Sequence, residues 1–170
     1  MLSRGFSLRE ERDGDVPFLR ALFASTREDE LAQAPWTAEQ KTQFLDIQFN
    51  AQRTHYRAQM PDCQWLILLH DGAPAGRIYL DWGPTTLNLV DIALIPQWRG
   101  QGVGSQLMAA ILALSARADK ITVLFVEKFN PALRLYQRLG FVEVRDTGVH
   151  LEMERPPGLG AKPRRSGGKA

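Results

Sequence analysis

The segment Ile92-Ala93-Leu94-Ile95-Pro96-Gln97-Trp98-Arg99-Gly100-Gln101-Gly102-Val103-Gly104-Ser105 carries the strongest chemical signal in the chain. An apolar run stops at a proline, a glycine-rich turn follows, and a pattern at helical spacing begins. Glycines let backbone approach a ligand closely, and a helix start offers unpaired N–H groups at the positive end of its dipole. That combination suits a phosphate or pyrophosphate; the alternative is a tight turn that binds nothing. A nucleoside-triphosphate loop would end Gly-Lys-Ser/Thr, but Gly104 is followed by Ser105 and Gln106. A dinucleotide fingerprint would have a third glycine where Ser105 stands, and would open the first β-α unit rather than follow a fourth strand.

Other residues stand out by type and position. Asp91 interrupts the apolar run Leu89-Val90-Asp91-Ile92-Ala93-Leu94, and a charge there must be paired or functional. Asn130-Pro131 reads as an N-cap followed by a first-turn proline. Tyr136, by spacing alone, is a half-buried helix aromatic. Glu28, Asp29, Glu30 and Trp36, with Asp81 and Trp82, offer acids beside aromatics, which suits a cationic amine but equally describes a solvated acidic loop.

These residues need elements to position them. Phe6–Glu10 alternates as a strand with Phe6 and Leu8 inward, and Asp15 caps a helix carrying Val16, Leu19, Leu22 and Phe23. Residues 25–36 read as a loop or broken helix. Thr37 and Gln40 form a capping box ahead of a long helix that Pro61 ends. Cys63–His70, Gly76–Trp82 and Thr86–Ile95 are strands, the first two joined by a tight Asp71-Gly72 turn. A helix from near Gly102 shows Val103, Leu107, Met108, Ile111, Leu112 and Leu114. Ile121–Val126 is a buried strand, a helix runs from Asn130 to Gly140, and Phe141–Arg145 and His150–Glu154 close the pattern. The order β-α-α-β-β-β-α-β-α-β-β predicts an α/β (α+β) fold, a mixed sheet of about seven strands with helices on both faces.

Arg99-x-x-Gly102-x-Gly104, after a strand ending Ile-Ala-Leu-Ile-Pro, resembles motif A of the GNAT acyltransferase superfamily. Leu124-x-Val126-x-x-x-Asn130-Pro131-Ala132-x-x-Leu135-Tyr136-x-x-Leu139-Gly140-Phe141 resembles its motif B. Order and spacing agree over residues 6–154. The resemblance implies an N-acetyltransferase that moves acetyl from acetyl-CoA, a cosubstrate, to an amine, with no metal. It implies that backbone N–H groups of Gly100, Gln101, Gly102, Val103, Gly104 and Ser105 hold the CoA pyrophosphate, with Arg99 adding charge. Pantetheine would lie along Ile92, Ala93 and Leu94, where a bulge splays this strand from Ile121–Val126. An N–H near Ala93 or Leu94 would serve as oxyanion donor. Asn130 would touch CoA as well as cap, and Tyr136 would protonate the departing thiolate. For the base the candidates are Asp91, Glu127 and a water; relatives that carry a glutamate two residues before Glu127 have Phe125 in its place here.

Composition sets the outer bounds. The 170 residues suffice for one domain, expected over 1–155. The net charge of +2 comes from residues 156–170, which hold Lys162, Arg164, Arg165 and Lys169 and no acid; the rest carries −2. This Pro/Gly-rich tail is expected to be disordered. A near-neutral body argues against nucleic acid as partner. No apolar run approaches the roughly 20 residues of a membrane span, and the charged start and single Cys63 suit the cytoplasm. The partners expected are acetyl-CoA and an amine acceptor; a homodimer is left open. Rival readings are a CoA-binding sensor without turnover and a transferase using another acyl-CoA or an O-acceptor.

Overall fold

The computed structural model describes residues 4–158. Its strands are β1 (Phe6–Glu10), β2 (Gln64–His70), β3 (Ala73–Trp82), β4 (Thr86–Leu94), β5 (Ile121–Glu127), β6 (Val142–Asp146) and β7 (His150–Arg155). Its helices are α1 (Val16–Ser25), α2 (Glu28–Ala32), α3 (Ala38–Gln59), α4 (Val103–Arg117) and α5 (Leu133–Arg138). The strands form one seven-stranded sheet in the order β1-β2-β3-β4-β5-β7-β6. It is mixed: β4 and β5 run parallel, while β1–β2, β2–β3, β5–β7 and β6–β7 are antiparallel. The basic tail lies outside the described residues apart from Pro156–Gly158.

The described residues gather into two compact units, one of residues 4–81 and 91–104, the other of 82–90 and 105–158. In the first, α1 and α3 bury Leu19, Phe23 and Phe49 with Ile67 of β2. Full burial of each such side chain contributes about 1.5–3 kcal/mol. The predicted capping box starts α3: Gln40 N–H donates to Thr37 Oγ1 at 3.2 Å, and Thr37 N–H to Gln40 Oε1 at 2.9 Å. In the second unit, α4 buries Leu107, Met108, Ile111, Leu112 and Ser115 as one stripe. Lys120 ties the β3–β4 turn by donating to Gly83 O at 2.5 Å and Pro84 O at 2.8 Å.

Several local expectations change. Leu8 is 44% exposed, because β1 is an edge strand. Leu114 falls off the helical stripe and is exposed. Asp15 stands at the N-cap position of α1, as predicted, but its side chain makes no capping hydrogen bond there. Its carboxylate accepts two hydrogen bonds of 2.7 Å from Arg9 and one from Arg12 N–H, and Arg9 holds its carboxyl below the usual range against the opposing effect of burial. Within residues 25–36 the broken-helix alternative holds: residues 28–32 are helical, with acids in the first turn, where the dipole favours them. The strand β3 begins before Gly76, with Ala75 as the extra residue where the register with β2 shifts between Leu68 and Leu69.

Candidate active site

The strand β4 changes character along its length. Leu87 and Leu89 are 0% and 6% exposed, and Thr86–Leu89 pairs in parallel with Ile121–Leu124. From Val90 to Leu94 every residue is only half-buried, and the pairing with β5 does not run on. Asp91, Ile92, Ala93 and Leu94 therefore belong to a strand segment covered less completely than a core strand. Its other neighbour holds it: Ile95 N–H donates to Ala75 O at 3.0 Å, and a Cβ at Gly76 would collide with Ala93 O. Gly76 is thus glycine because the β4 backbone comes too near for a side chain.

A short turn of 3-10 helix, Pro96–Trp98, leads into the glycine loop. Trp98 is braced by His70 and Phe6, with ring centroids at 4.4 and 5.2 Å. Gly100 and Gly102 have φ of +69° and +80°, the left-handed region that disfavours side chains. Gly104 is different: it has no such φ, and a Cβ there would meet no atom within 4 Å. The fold itself does not demand glycine at 104. Val103 is buried under the first turn of α4, while Gln101 and Ser105 are exposed. Gln101 donates its amide to Gln97 O at 2.5 Å. Arg99 turns back on the chain, donating from Nε to Leu94 O at 2.8 Å and from Nη2 to Ser25 Oγ at 2.7 Å. Its charge therefore stands between the end of β4 and the end of α1.

Asp91 is paired, as a charge in an apolar strand must be. Its Oδ2 accepts from Nη2 of Arg77 on β3, and the same nitrogen donates to Gln52 Oε1 of α3 at 3.0 Å. Arg77 is 5% exposed, and its Cζ lies 5.1 Å from the centre of the Tyr79 ring. Burial lowers its pKa, but the charge of Asp91, with Tyr79 and Tyr56, more than offsets this and holds it above the ordinary value. Nearby, Tyr79 donates to Glu11 Oε2 at 2.8 Å, and Glu11 pairs with Arg53 and Arg57 at 2.6 and 2.8 Å. Burial, reinforced by Asp91, pushes the Tyr56 hydroxyl up to about 12. Sequence reasoning singled out Asp91 and missed Arg77, although Arg77 carries the same signal, a charge amid Gly76, Ile78 and Leu80.

The remaining candidates lie in the other unit. Glu127 ends β5, exposed, opposite His150 in register. Asn130 is not the N-cap of α5. Its Oδ1 accepts from Ala132 N–H at 2.9 Å, closing a side-chain turn, and the helix begins at Leu133. Tyr136 sits in the helix terminus itself. Phe141 N–H donates to Tyr136 O and Gly140 N–H to Gln137 O, both at 3.1 Å, with Gly140 at φ +88°. That is the Schellman pattern, and the hydrophobic contact that accompanies it is the Tyr136–Phe141 ring pair at 5.9 Å. Of the acids proposed for the acceptor, Glu28 and Asp29 are exposed and Glu30 pairs with Arg27 at 3.3 Å; Trp36 packs on Phe44. Among the described residues no helix is long and apolar enough to cross a membrane, and no group of His, Cys, Asp or Glu is arranged to hold a metal.

The family model described as Acetyltransferase (GNAT) family matches residues 23–141. Solved structures share the fold at low identity. The PaiA N-acetyltransferase from Thermoplasma acidophilum, in complex with coenzyme A, is 17% identical with a TM-score of 0.68, over 89% of this chain and 98% of its own. The ribosomal-protein-S18-alanine N-acetyltransferase from Escherichia coli is 19% identical with a TM-score of 0.61, over 93% and 97%. The yncA protein from Salmonella typhimurium, with its cofactor acetyl-CoA, is 18% identical with a TM-score of 0.54, over 94% and 98%. No curated protein matches the chain.

Proposed function

The chain belongs to the GNAT acetyltransferase family, and from that premise we propose that it transfers acetyl from acetyl-CoA to a primary amine of a small molecule or peptide by direct attack in a ternary complex. One observation carries the reading: β4 loses its parallel partner and its cover after Leu89, just before a loop with two left-handed glycines and the start of α4. The half-buried segment Ile92–Leu94 suits an extended pantetheine arm, and the N–H groups of Gly100–Ser105 suit its pyrophosphate. Two of the structures that share the fold hold coenzyme A or acetyl-CoA, which supports the same choice of cosubstrate.

The chemistry follows from the thioester. A carboxylate, Asp91 or Glu127, or a water, takes a proton from the ammonium. The nitrogen lone pair then forms a C–N bond at the acetyl carbon, and the carbonyl oxygen gains charge that a backbone N–H near Ala93 or Leu94 stabilises. The C–S bond breaks, the thiolate leaves with the electron pair and takes the Tyr136 hydroxyl proton, and the second proton of the attacking nitrogen is lost as the amide forms, which restores the tyrosine. Arg99 adds positive charge near the loop, and Asn130 adds a polar contact to CoA.

Gly104 provides the test, because its glycine is required by neither backbone conformation nor neighbouring atoms. Gly104→Glu places a carboxylate where phosphate is proposed to sit. We expect acetyl-CoA binding by calorimetry to be lost while the melting temperature stays near that of the parent protein, and Gly104→Ala to fold normally. Thiol release over a panel of primary amines reads turnover. Undiminished binding in Gly104→Glu puts the cofactor elsewhere; binding without thiol release favours a sensor.

A further inference from the structure

We propose that Arg77 is a positioning residue for acetyl transfer: buried beneath α3, it grips one oxygen of Asp91 and so presents the other to the ammonium of the acceptor. The proposal rests on the acetyl-transfer reading and selects Asp91 over Glu127 as its acceptor-side carboxylate. Three observations carry it. The first is division of labour within one carboxylate. Oδ2 of Asp91 accepts from Arg77, no hydrogen bond is made to Oδ1 among the described residues, and the side chain keeps 19% of its exposure. The second is how firmly Arg77 is set. Nη2 is shared with Gln52, Cζ lies over the Tyr79 ring, and Tyr79 is in turn held by Glu11, which two arginines neutralise. A base oriented by a third, immobile group is a recurrent catalytic arrangement.

The third observation is that stability gives little reason for the pair. Desolvating two charges often offsets their attraction, so apolar residues of similar volume commonly serve a core as well or better. Here the cost is compounded: Arg77 Nε is a buried nitrogen with no hydrogen-bond partner among the described residues. Packing alone would favour Leu or Met in an otherwise apolar stretch of β3. The guanidinium instead spends its contacts on one nitrogen that faces Asp91, directly before the segment Ile92–Leu94.

Arg77→Met, Arg77→Lys and Gln52→Leu separate positioning from mere support. Each is assayed by thiol release from acetyl-CoA over the amine panel, with acetyl-CoA affinity measured on the same preparations. For Arg77→Met we expect kcat/KM for the best amine to fall about 10–100-fold while acetyl-CoA Kd changes less than about threefold, the penalty of a misplaced reacting group. Arg77→Lys should recover part of the loss, and Gln52→Leu should show a smaller loss of the same kind. Wild-type kcat/KM in Arg77→Met and Gln52→Leu overturns the proposal. So does a fall in acetyl-CoA affinity parallel to that in kcat/KM, which makes Arg77 a clamp on β4. If Arg77→Met does not fold, Gln52→Leu, at a half-exposed helix position, decides the matter. A wild-type protein that binds acetyl-CoA but releases thiol to no amine overturns the acetyl-transfer reading itself and this proposal with it.

Discussion

Tyr136 is held through its carbonyl, which accepts from Phe141 N–H, and through its ring, which meets Phe141 edge-on. Tyr136→Phe keeps both. It therefore removes the hydroxyl alone, and the melting temperature is measured on the same preparation. If the hydroxyl protonates the departing thiolate, turnover falls by about 10²–10⁴-fold, the usual range for loss of a general acid. Acetyl-CoA KM should hold, since the glycine loop is untouched, so the loss should appear in kcat and kcat/KM alike. Steady-state kinetics with a good acceptor reads the outcome; near-normal turnover makes Tyr136 a packing residue and the bare thiolate the leaving form. Asp91 shows how far single residues were legible. A carboxylate in an apolar strand announces that something pairs with it, but its partner is 14 residues away on β3, and only register brings the two together. Asp15 and Asn130 show the opposite limit. Residue type favours a cap at both, yet Asp15 has an arginine within reach and Asn130 satisfies a nearer N–H.

The elements were legible where local chemistry decides them. The Thr37–Gln40 box, the Asp71-Gly72 turn, with φ of +48° and +82°, and the glycine that ends α5 are all determined by a few neighbouring residues. What stayed hidden was set by contacts across the sheet. Residues 73–75 extend β3 beyond the predicted start at Gly76, with Ala75 as the extra residue where the register with β2 shifts between Leu68 and Leu69. The end of the parallel pairing of β4 with β5 at Leu89 is stated by no local pattern in the sequence. Gly76 joins both points. Read as a strand start, it is instead the place where β3 admits the β4 backbone at Ala93. Gly76→Ala must push that backbone away, and overpacking of this kind costs about 1–3 kcal/mol. We expect a melting temperature several degrees lower, together with weaker acetyl-CoA binding, because the displaced segment is the one proposed to receive pantetheine. Differential scanning calorimetry and binding isotherms on one preparation check both. Lowered stability with unchanged affinity removes Ala93 from the cofactor contacts.

For the molecule as a whole, charge is distributed unequally along the chain. The last strand ends at Arg155, whose Nε donates to Leu139 O at 2.7 Å and ties β7 to the end of α5. Residues 159–170, which lie outside the described part, contain Lys162, Arg164, Arg165 and Lys169, no acid, and no large apolar side chain beyond Leu159. This segment concentrates positive charge and offers little apolar area that a folded domain could bury. Its removal should therefore leave folding and chemistry as they are while changing the field around the protein. The formal charge passes from +2 to −2, since all four of those cations go. Deleting 159–170 should thus preserve the melting temperature and the rate of thiol release, but reduce retention on an immobilised polyanion, most clearly at low salt, where screening is weakest. A loss of several degrees, or of most activity, would mean that these residues dock on the folded part and belong to its machinery. Retention that survives the deletion would place the polyanion-binding charge on the body of the protein, in spite of its net −2.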